Sequence, residues 1–267
     1  MKELRLATVC TGSDINDLRG NFSVHERYIS DAAGKGADII CFPEMSLTGY
    51  AMPESSDRCL PLDAPEVGRL VDLSGETGMC IIFGMGEEGR YITEVVAEGG
   101  RILGTYRKTH LGFREEPVMN TGDDLPVFRT AKAVIGLQVC WESHFPEITA
   151  TLASKGADLV LMPHASGLEV GRRRESWDRM MPARAYDNTV FVAACNAVGS
   201  NGAGTDFSGG TCVYDCRGRL IREEYTGECM MLTDLDGAEM DRIRGSDPGS
   251  MKNLYFLDKR RPEIYFR

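Results

Sequence analysis

Lys35-Gly36-Ala37-Asp38-Ile39-Ile40-Cys41-Phe42-Pro43-Glu44 and Lys155-Gly156-Ala157-Asp158-Leu159-Val160-Leu161-Met162-Pro163-His164 are two copies of one pattern. Each reads as the end of a helix, a glycine-punctuated turn, a short apolar strand and a proline where the strand stops. A strand that is apolar at every position is covered on both faces, so these runs belong to the interior of a parallel sheet. A repeated helix-plus-strand unit predicts two similar halves packed face to face. The expected fold is α/β: a four-layer α-β-β-α sandwich with two internal sheets and pseudo-duplicated halves.

The rest of the chain agrees with that reading. Apolar strand-like runs recur at Leu4–Cys10, Met79–Phe83, Val134–Cys140, Val190–Cys195 and Cys212–Tyr214. Helical patterning is expected near Asn21–Lys35, Pro65–Thr77, Pro146–Lys155 and Ser176–Asp187. No Gly/Ser/Pro-rich linker interrupts the alternation, so residues 1–267 read as a single domain. The segment Met251–Arg267 is rich in apolar and aromatic residues beyond the last strand and reads as a C-terminal interface tail.

Composition removes several function classes. Of 267 residues, 42% are hydrophobic and no run approaches the roughly 18 apolar residues a spanning helix needs. Thirty Lys and Arg against 40 Asp and Glu give a net charge of −10 without a basic stripe, which excludes nucleic acid and anionic membrane as expected partners. The N-terminus begins directly in strand-like sequence, and the nine cysteines are odd in number and partly inside apolar runs. Reduced thiols in a cytoplasmic protein are expected.

Some motifs match by letter only. Gly84-Met85-Gly86-Glu87-Glu88-Gly89 spells a dinucleotide fingerprint, but β-branched Tyr91-Ile92-Thr93-Glu94-Val95-Val96 follows where a helix is required, so a hairpin is expected. The four histidines and the Cys212/Cys216 pair lack zinc-site spacing, and no Gly-x-Ser-x-Gly elbow occurs. Neither metal nor cofactor is implied.

Three strand ends carry chemistry. Val134 to Val139 is an apolar strand ending in Cys140, and Phe145-Pro146-Glu147 starts a helix shortly after. A thiol at such a corner is held rigidly where a substrate can reach it. Glu44 emerges from the Cys41-Phe42-Pro43 strand end, where desolvation would raise its pKa toward that of a useful base. Tyr106-Arg107-Lys108-Thr109-His110-Leu111 closes a third strand with a lysine.

Together these segments resemble the nitrilase superfamily of carbon–nitrogen hydrolases, and the amidase and N-carbamoyl branch in particular. The resemblance rests on Glu44 in Pro-Glu, Lys108 in Tyr-Arg-Lys-x-His-Leu, and Cys140-Trp141-Glu142-Ser143-His144-Phe145-Pro146-Glu147, in that order. It continues through Gly156-Ala157-Asp158, Ala183 to Asn188, Asn196, Phe207 to Thr211 and the closing Arg260 to Tyr265. It implies a Glu44–Lys108–Cys140 triad. Glu44 would take the thiol proton, Lys108 and the Trp141 backbone N–H would hold the oxyanion, and a second glutamate would position base and water. Glu115 and Glu116 compete for that last role, and counting back from Thr121-Gly122-Asp123 favours Glu115.

The chain also departs from the family pattern. Trp141-Glu142 occurs among nitrilases, while Phe145-Pro146-Glu147 is more typical of amidases. Tyr186-Asp187-Asn188-Thr189, Thr211 and Cys216 replace other residues at positions that shape packing. Trp141, His164 and Arg173 are the substrate-binding candidates. Arg173 belongs to Arg172-Arg173-Arg174, which reads first as a solvated basic loop ahead of the Trp177 helix, with the competing hypothesis that at least one of the three forks onto a substrate carboxylate. The expected activity is cysteine-dependent hydrolysis of a small linear amide or N-carbamoyl compound through a thioester, releasing ammonia. The alternatives are a nitrilase or a non-catalytic binder, and an intact triad argues against the binder. Family resemblance and the apolar tail together imply a homodimer or an assembly of dimers.

Overall fold

A computed structural model of the chain describes residues 1–245 and 255–265. The first sheet contains β1 (Leu4–Cys10), β2 (Ile39–Cys41), β3 (Cys80–Glu87), β4 (Tyr91–Glu98), β5 (Arg101–Arg107) and β14 (Cys229–Leu235), in the order β14-β1-β2-β3-β4-β5. The second contains β6 (Val127–Arg129), β7 (Val134–Leu137), β8 (Leu159–His164), β9 (Phe191–Asn196), β12 (Thr211–Tyr214) and β13 (Leu220–Glu224), in the order β13-β12-β9-β8-β7-β6. Both sheets have the same plan. Three parallel strands, β1-β2-β3 or β7-β8-β9, carry an antiparallel strand on one side and an antiparallel pair on the other. The two copies of the quoted pattern supply the central strands β2 and β8. A small ribbon of β10 (Val198–Ser200) and β11 (Asp206–Ser208) stands apart.

The layers follow from the three core clusters. Leu6, Ile39 and Cys41 of the first sheet meet Ile135, Leu159 and Leu161 of the second, which makes the sheet-to-sheet core. The other face of β2, with Ile40 and Phe42, packs under α1 (Leu18–Gly34) and α2 (Pro65–Thr77). The other face of β8, with Val160 and Met162, packs under α3 (Pro146–Ser154) and α4 (Val170–Asn188). The layer order is therefore helix, sheet, sheet, helix. A short helix, α5 (Ala238–Gly245), adds Met240 and Ile243 to the central core.

Local chemistry sets the helix limits. Asp17 caps α1 by accepting from Gly20 N at 2.9 Å, while α2 opens on Pro65 and closes on Gly78 at φ 72°. Three sequence expectations need adjustment. The expected hairpin forms, but only the end of the Gly84–Gly89 stretch makes the turn: Gly84, Met85 and Gly86 belong to β3, and the chain reverses through Glu88, Gly89 and Arg90. The strand leading to Cys140 ends at Leu137, and Gln138 and Val139 connect it to the cysteine. Helix α4 begins at Val170, so the arginine triplet lies in the helix and not in a loop before it. The interface-tail reading falls partly outside the described residues, at 251–254 and 266–267. Within them, Tyr255 and Leu257 pack onto their own chain and the Phe256 ring lies 5.5 Å from that of Tyr186, whereas Ile264 and Tyr265 are exposed. Among the described residues no helix is long and apolar enough to cross a membrane.

Candidate active site

The site forms where the ends of β2, β5 and β7 meet. Glu44, three residues past the end of β2, and Lys108, just past β5, are both completely buried. Lys108 Nζ donates to Glu44 Oε1 at 2.7 Å and to Glu115 Oε1 at 2.8 Å. Glu44 Oε2 accepts from the Ala165 N–H at 2.9 Å, just after β8. The repeat thus places the proline-terminated ends of its two central strands side by side, the first giving a carboxylate and the second a backbone donor to it.

Glu115 and Glu116 part company here. Glu115 is 2% exposed and is held by Lys108, by Gly112 N at 2.6 Å and by the Tyr50 hydroxyl at 2.8 Å, whereas Glu116 faces solvent. Glu115→Gln is expected to lower kcat by at least about 100-fold, because it removes the charge that holds Lys108 beside Glu44, whereas Glu116→Gln changes it less than about twofold. Steady-state ammonia release from the two variants checks this, and the reverse ranking would refute the placement.

Cys140 sits at φ 48°, in the left-handed region that non-glycine residues seldom occupy, at the start of a short 3-10 turn over Cys140–His144. This strained corner turns the thiol out of the sheet, and places the Trp141 N–H in the first turn, where helical amides lack internal partners. Glu142 holds the corner in place. It is buried and accepts from Val139 N (2.7 Å), the Tyr106 hydroxyl (2.7 Å), Thr109 N (2.7 Å), Thr109 Oγ1 (2.6 Å) and His110 N (3.1 Å). One carboxylate therefore ties the Cys140 turn to the residues on either side of Lys108.

Burial sets the protonation states. Desolvation, with the Glu115 charge adding to it, pushes Glu44 up to about 7 even though Lys108 pulls it down. Burial, then the charge of Glu44, pushes the Cys140 thiol up to about 12, with Lys108 and Arg173 opposing. Burial works against the Lys108 charge, but the Glu44 and Glu115 carboxylates outweigh it and hold the ammonium above its usual range. The resting site is thus a thiol beside a carboxylate that titrates near neutrality. Burial also pushes Glu142 upward, but the hydrogen bonds of His110, Thr109, Val139 and Tyr106 prevail and keep it below the usual carboxylate range.

A cavity of about 520 Å³ opens onto Cys140, within the size range of small-ligand sites. Its lining includes Glu115, Tyr50, Trp141, which is 42% exposed, and Ala165 to Gly167. Asn196 pins that last wall, with Oδ1 accepting from Ser166 N at 2.9 Å and Nδ2 donating to Ser166 O at 3.0 Å. Neither His164 nor Arg173 belongs to this lining. The expectation that His164 binds substrate is corrected by its surroundings. It is 1% exposed, Nδ1 donates to Met162 O at 2.8 Å and Nε2 accepts from the Trp177 indole N–H at 3.3 Å. With both nitrogens engaged and burial holding the ring well below its usual pKa, it is a neutral packing residue.

Three contributors were not legible as such in the sequence: Tyr50, the Ala165 N–H and the role of Glu142. Glu142 stood inside a recognised motif, but its partners lie far off in the chain. Glu94, fully buried on β4, is a fourth. Burial and then the charge of Glu44 push it well above the carboxylate range, and neither of its oxygens has a hydrogen-bond partner.

With the geometry in place, the comparisons with known proteins decide the family. The family model for carbon-nitrogen hydrolases matches residues 5–244. The chain belongs to the carbon-nitrogen hydrolases. A nitrilase of Pyrococcus abyssi is 27% identical across 99% of this chain and 100% of its own length, and an N-carbamoylputrescine amidase of Arabidopsis thaliana is 27% identical across 94% and 90%. Among solved structures, an amidase from Nesterenkonia sp. AN1 covers 98% of each chain at 26% identity with a TM-score of 0.82. The fold is that of the nitrilase superfamily, and this carbon–nitrogen hydrolase falls in its amidase-like branch.

Proposed function

We propose that this carbon–nitrogen hydrolase is a cysteine-dependent amidase acting on a small linear amide or N-carbamoyl compound. One observation carries the reading: a buried carboxylate that titrates near neutrality shares a lysine with a second carboxylate and stands in Coulomb contact with a strained, cavity-lining thiol. Glu44 removes the Cys140 proton as sulfur attacks the carbonyl carbon. The C=O electrons pass to oxygen, and Lys108 with the Trp141 N–H stabilises that charge, a role in which a single donor is worth about 3–4 kcal/mol. Collapse of the tetrahedral species breaks the C–N bond, and Glu44 returns its proton to the departing nitrogen as ammonia or amine. Water then gives a proton to Glu44 and attacks the thioester, releasing the acid and restoring the thiol.

A nitrilase is the second reading, favoured by the Trp141-Glu142 pair after the nucleophile. A panel of amides, N-carbamoyl compounds and nitriles, assayed for ammonia, separates the two. Amide turnover without nitrile turnover supports the proposal, and turnover of nitriles alone would replace it.

The reading extends to assembly: a symmetric cytoplasmic homodimer, or dimers of dimers. Support comes from exposed Tyr186, Ile264 and Tyr265, apolar surface of the kind that marks interfaces. Light scattering at micromolar concentration is expected to show at least twice the monomer mass, and a monomer would defeat it.

A further inference from the structure

Cys10 ends β1 and Cys229 begins β14, and the antiparallel ladder between these strands sets the two residues directly opposite one another. Their side chains share a face. Leu4 and Leu6 on β1, and Met231 and Leu235 on β14, belong to the sheet-to-sheet core, and alternation along each strand turns Cys10 and Cys229 to that same side. Because β14 is the edge strand of its sheet, the pair lies at the rim of the sandwich, with Cys10 completely buried and Cys229 half-buried. Directly opposed residues of an antiparallel pair have Cα atoms about 4.5–5.5 Å apart, inside the roughly 4.4–6.8 Å that a disulfide bridges.

The two thiols also act on one another. The hydrogen bond between them pushes Cys10 well above the usual thiol range, with burial and the charge of Cys229 adding to it, and pulls Cys229 below that range against burial and the charges of Glu224 and Glu228. Cys10 is thus the S–H donor and Cys229 the sulfur that ionises. An accessible thiol that ionises readily beside a buried one that does not is the arrangement of an attacking and a resolving cysteine. The other thiols are placed differently. Cys195 Sγ donates to Cys41 O at 3.7 Å, but both residues are closed off from solvent between the sheets. Cys59 is half-buried, yet its thiol donates to Ser56 O at 3.5 Å and burial pushes it upward. Cys140 opens onto the cavity, but burial and Glu44 hold its thiol at about 12, so almost none of it is thiolate at neutral pH.

We infer that Cys10 and Cys229 form a reversible redox site, which closes to a disulfide when a small-molecule disulfide is present, fastening the edge strand β14 to β1, and reopens under reducing conditions. The Cys229 thiolate attacks one sulfur of the oxidant, whose S–S bond breaks and releases one half as a thiolate. Cys10 then loses its proton and attacks the Cys229 sulfur of the mixed disulfide, which forms the Cys10–Cys229 bond and releases the second half. Two protein thiols are oxidised, the oxidant is reduced to two thiols, and the two protein protons end on them. The bridge closes a loop of about 220 residues, which removes much of the freedom of the unfolded chain. Neither cysteine lines the Cys140 cavity, so the site is separate from the catalytic one.

The test incubates the full-length protein with oxidised glutathione and follows it by intact mass, non-reducing peptide mapping and thermal unfolding. The expected result is loss of two hydrogens, a cross-link joining the Cys10 and Cys229 peptides, and a Tm raised by roughly 5–10 °C, all reversed by dithiothreitol. Cys10→Ser is expected to stop at a glutathione adduct on Cys229, because the resolving thiol is gone, whereas Cys229→Ser leaves Cys10 free. The wild-type map decides the matter even where a serine variant unfolds. Cys10 and Cys229 both still free after oxidation, a cross-link between other cysteines, or an adduct on Cys140 ahead of Cys229 would overturn the inference. An adduct trapped on Cys10 in Cys229→Ser would overturn the assignment of the attacking thiol, and a Cys10–Cys229 cross-link that leaves Tm unchanged would overturn the fastening of β14.

Discussion

Cys140→Ala is expected to lower kcat by at least about 10,000-fold, the scale on which removing a covalent nucleophile acts, while the protein remains folded. The fold is spared because alanine fits the corner that Cys140 occupies, and the contacts that hold that corner run through Glu142 and not through the thiol. No other cysteine should behave in this way. Cys41, Cys80, Cys195 and Cys212 are buried in apolar layers, and burial pushes the thiols of Cys80, Cys195 and Cys212 upward, away from reactivity. Intact mass of the wild-type protein quenched during turnover should show an acyl adduct, localised by peptide mapping to Cys140 and absent from the variant. Retained activity in Cys140→Ala would rule out the thioester route.

Glu44→Gln is expected to cost about 1,000-fold or more in kcat/KM with little loss of stability. Glutamine can keep the acceptor contact to Lys108 and to the Ala165 N–H through one oxygen at a time, but it has no site to receive the thiol proton. The pH profile supplies a second signature. Glu44 must be ionised to act as a base, and its carboxyl titrates at about 7, so wild-type kcat/KM should rise as pH increases through about 7 and level off above it. Below that value the carboxyl carries a proton and cannot accept another. Lys108 is held charged above its usual range, so no loss through lysine deprotonation is expected below about pH 10. In Glu44→Gln the acid limb near neutrality should vanish from the residual rate. A limb that persists unchanged would assign it to another group.

The reach of sequence reasoning can be traced residue by residue. The duplicated Lys-Gly-Ala-Asp pattern specifies the two-sheet sandwich, because an all-apolar strand closed by proline suits only a sheet interior, and two copies imply two sheets. Strand ends at Glu44, Lys108 and Cys140 were visible because chemistry-bearing side chains interrupt apolar runs there. The start of α4 was not visible. Arg172-Arg173-Arg174 reads as a solvated stretch, and only packing against Trp177 and β8 pulls one arginine inward.

What the sequence by itself determined is the architecture, the family and which strand-end side chains are the candidates for the chemistry, since each depends on local pattern or on motifs contiguous in the chain. Spacing from Thr121-Gly122-Asp123 favoured Glu115 over Glu116, and the tertiary structure supplied the contact, since the turn at Gly112 aims only Glu115 at Lys108. It also removed His164 from the ligand-facing set, by closing both ring nitrogens on Met162 and Trp177. Finally, it made Glu142 the tie between the Cys140 turn and the lysine segment, and left Arg173 buried without a counter-charge among the described residues. The physical reason is common to all four: burial and hydrogen-bond satisfaction belong to neighbours in space, and those neighbours come from strands and loops far apart in the chain.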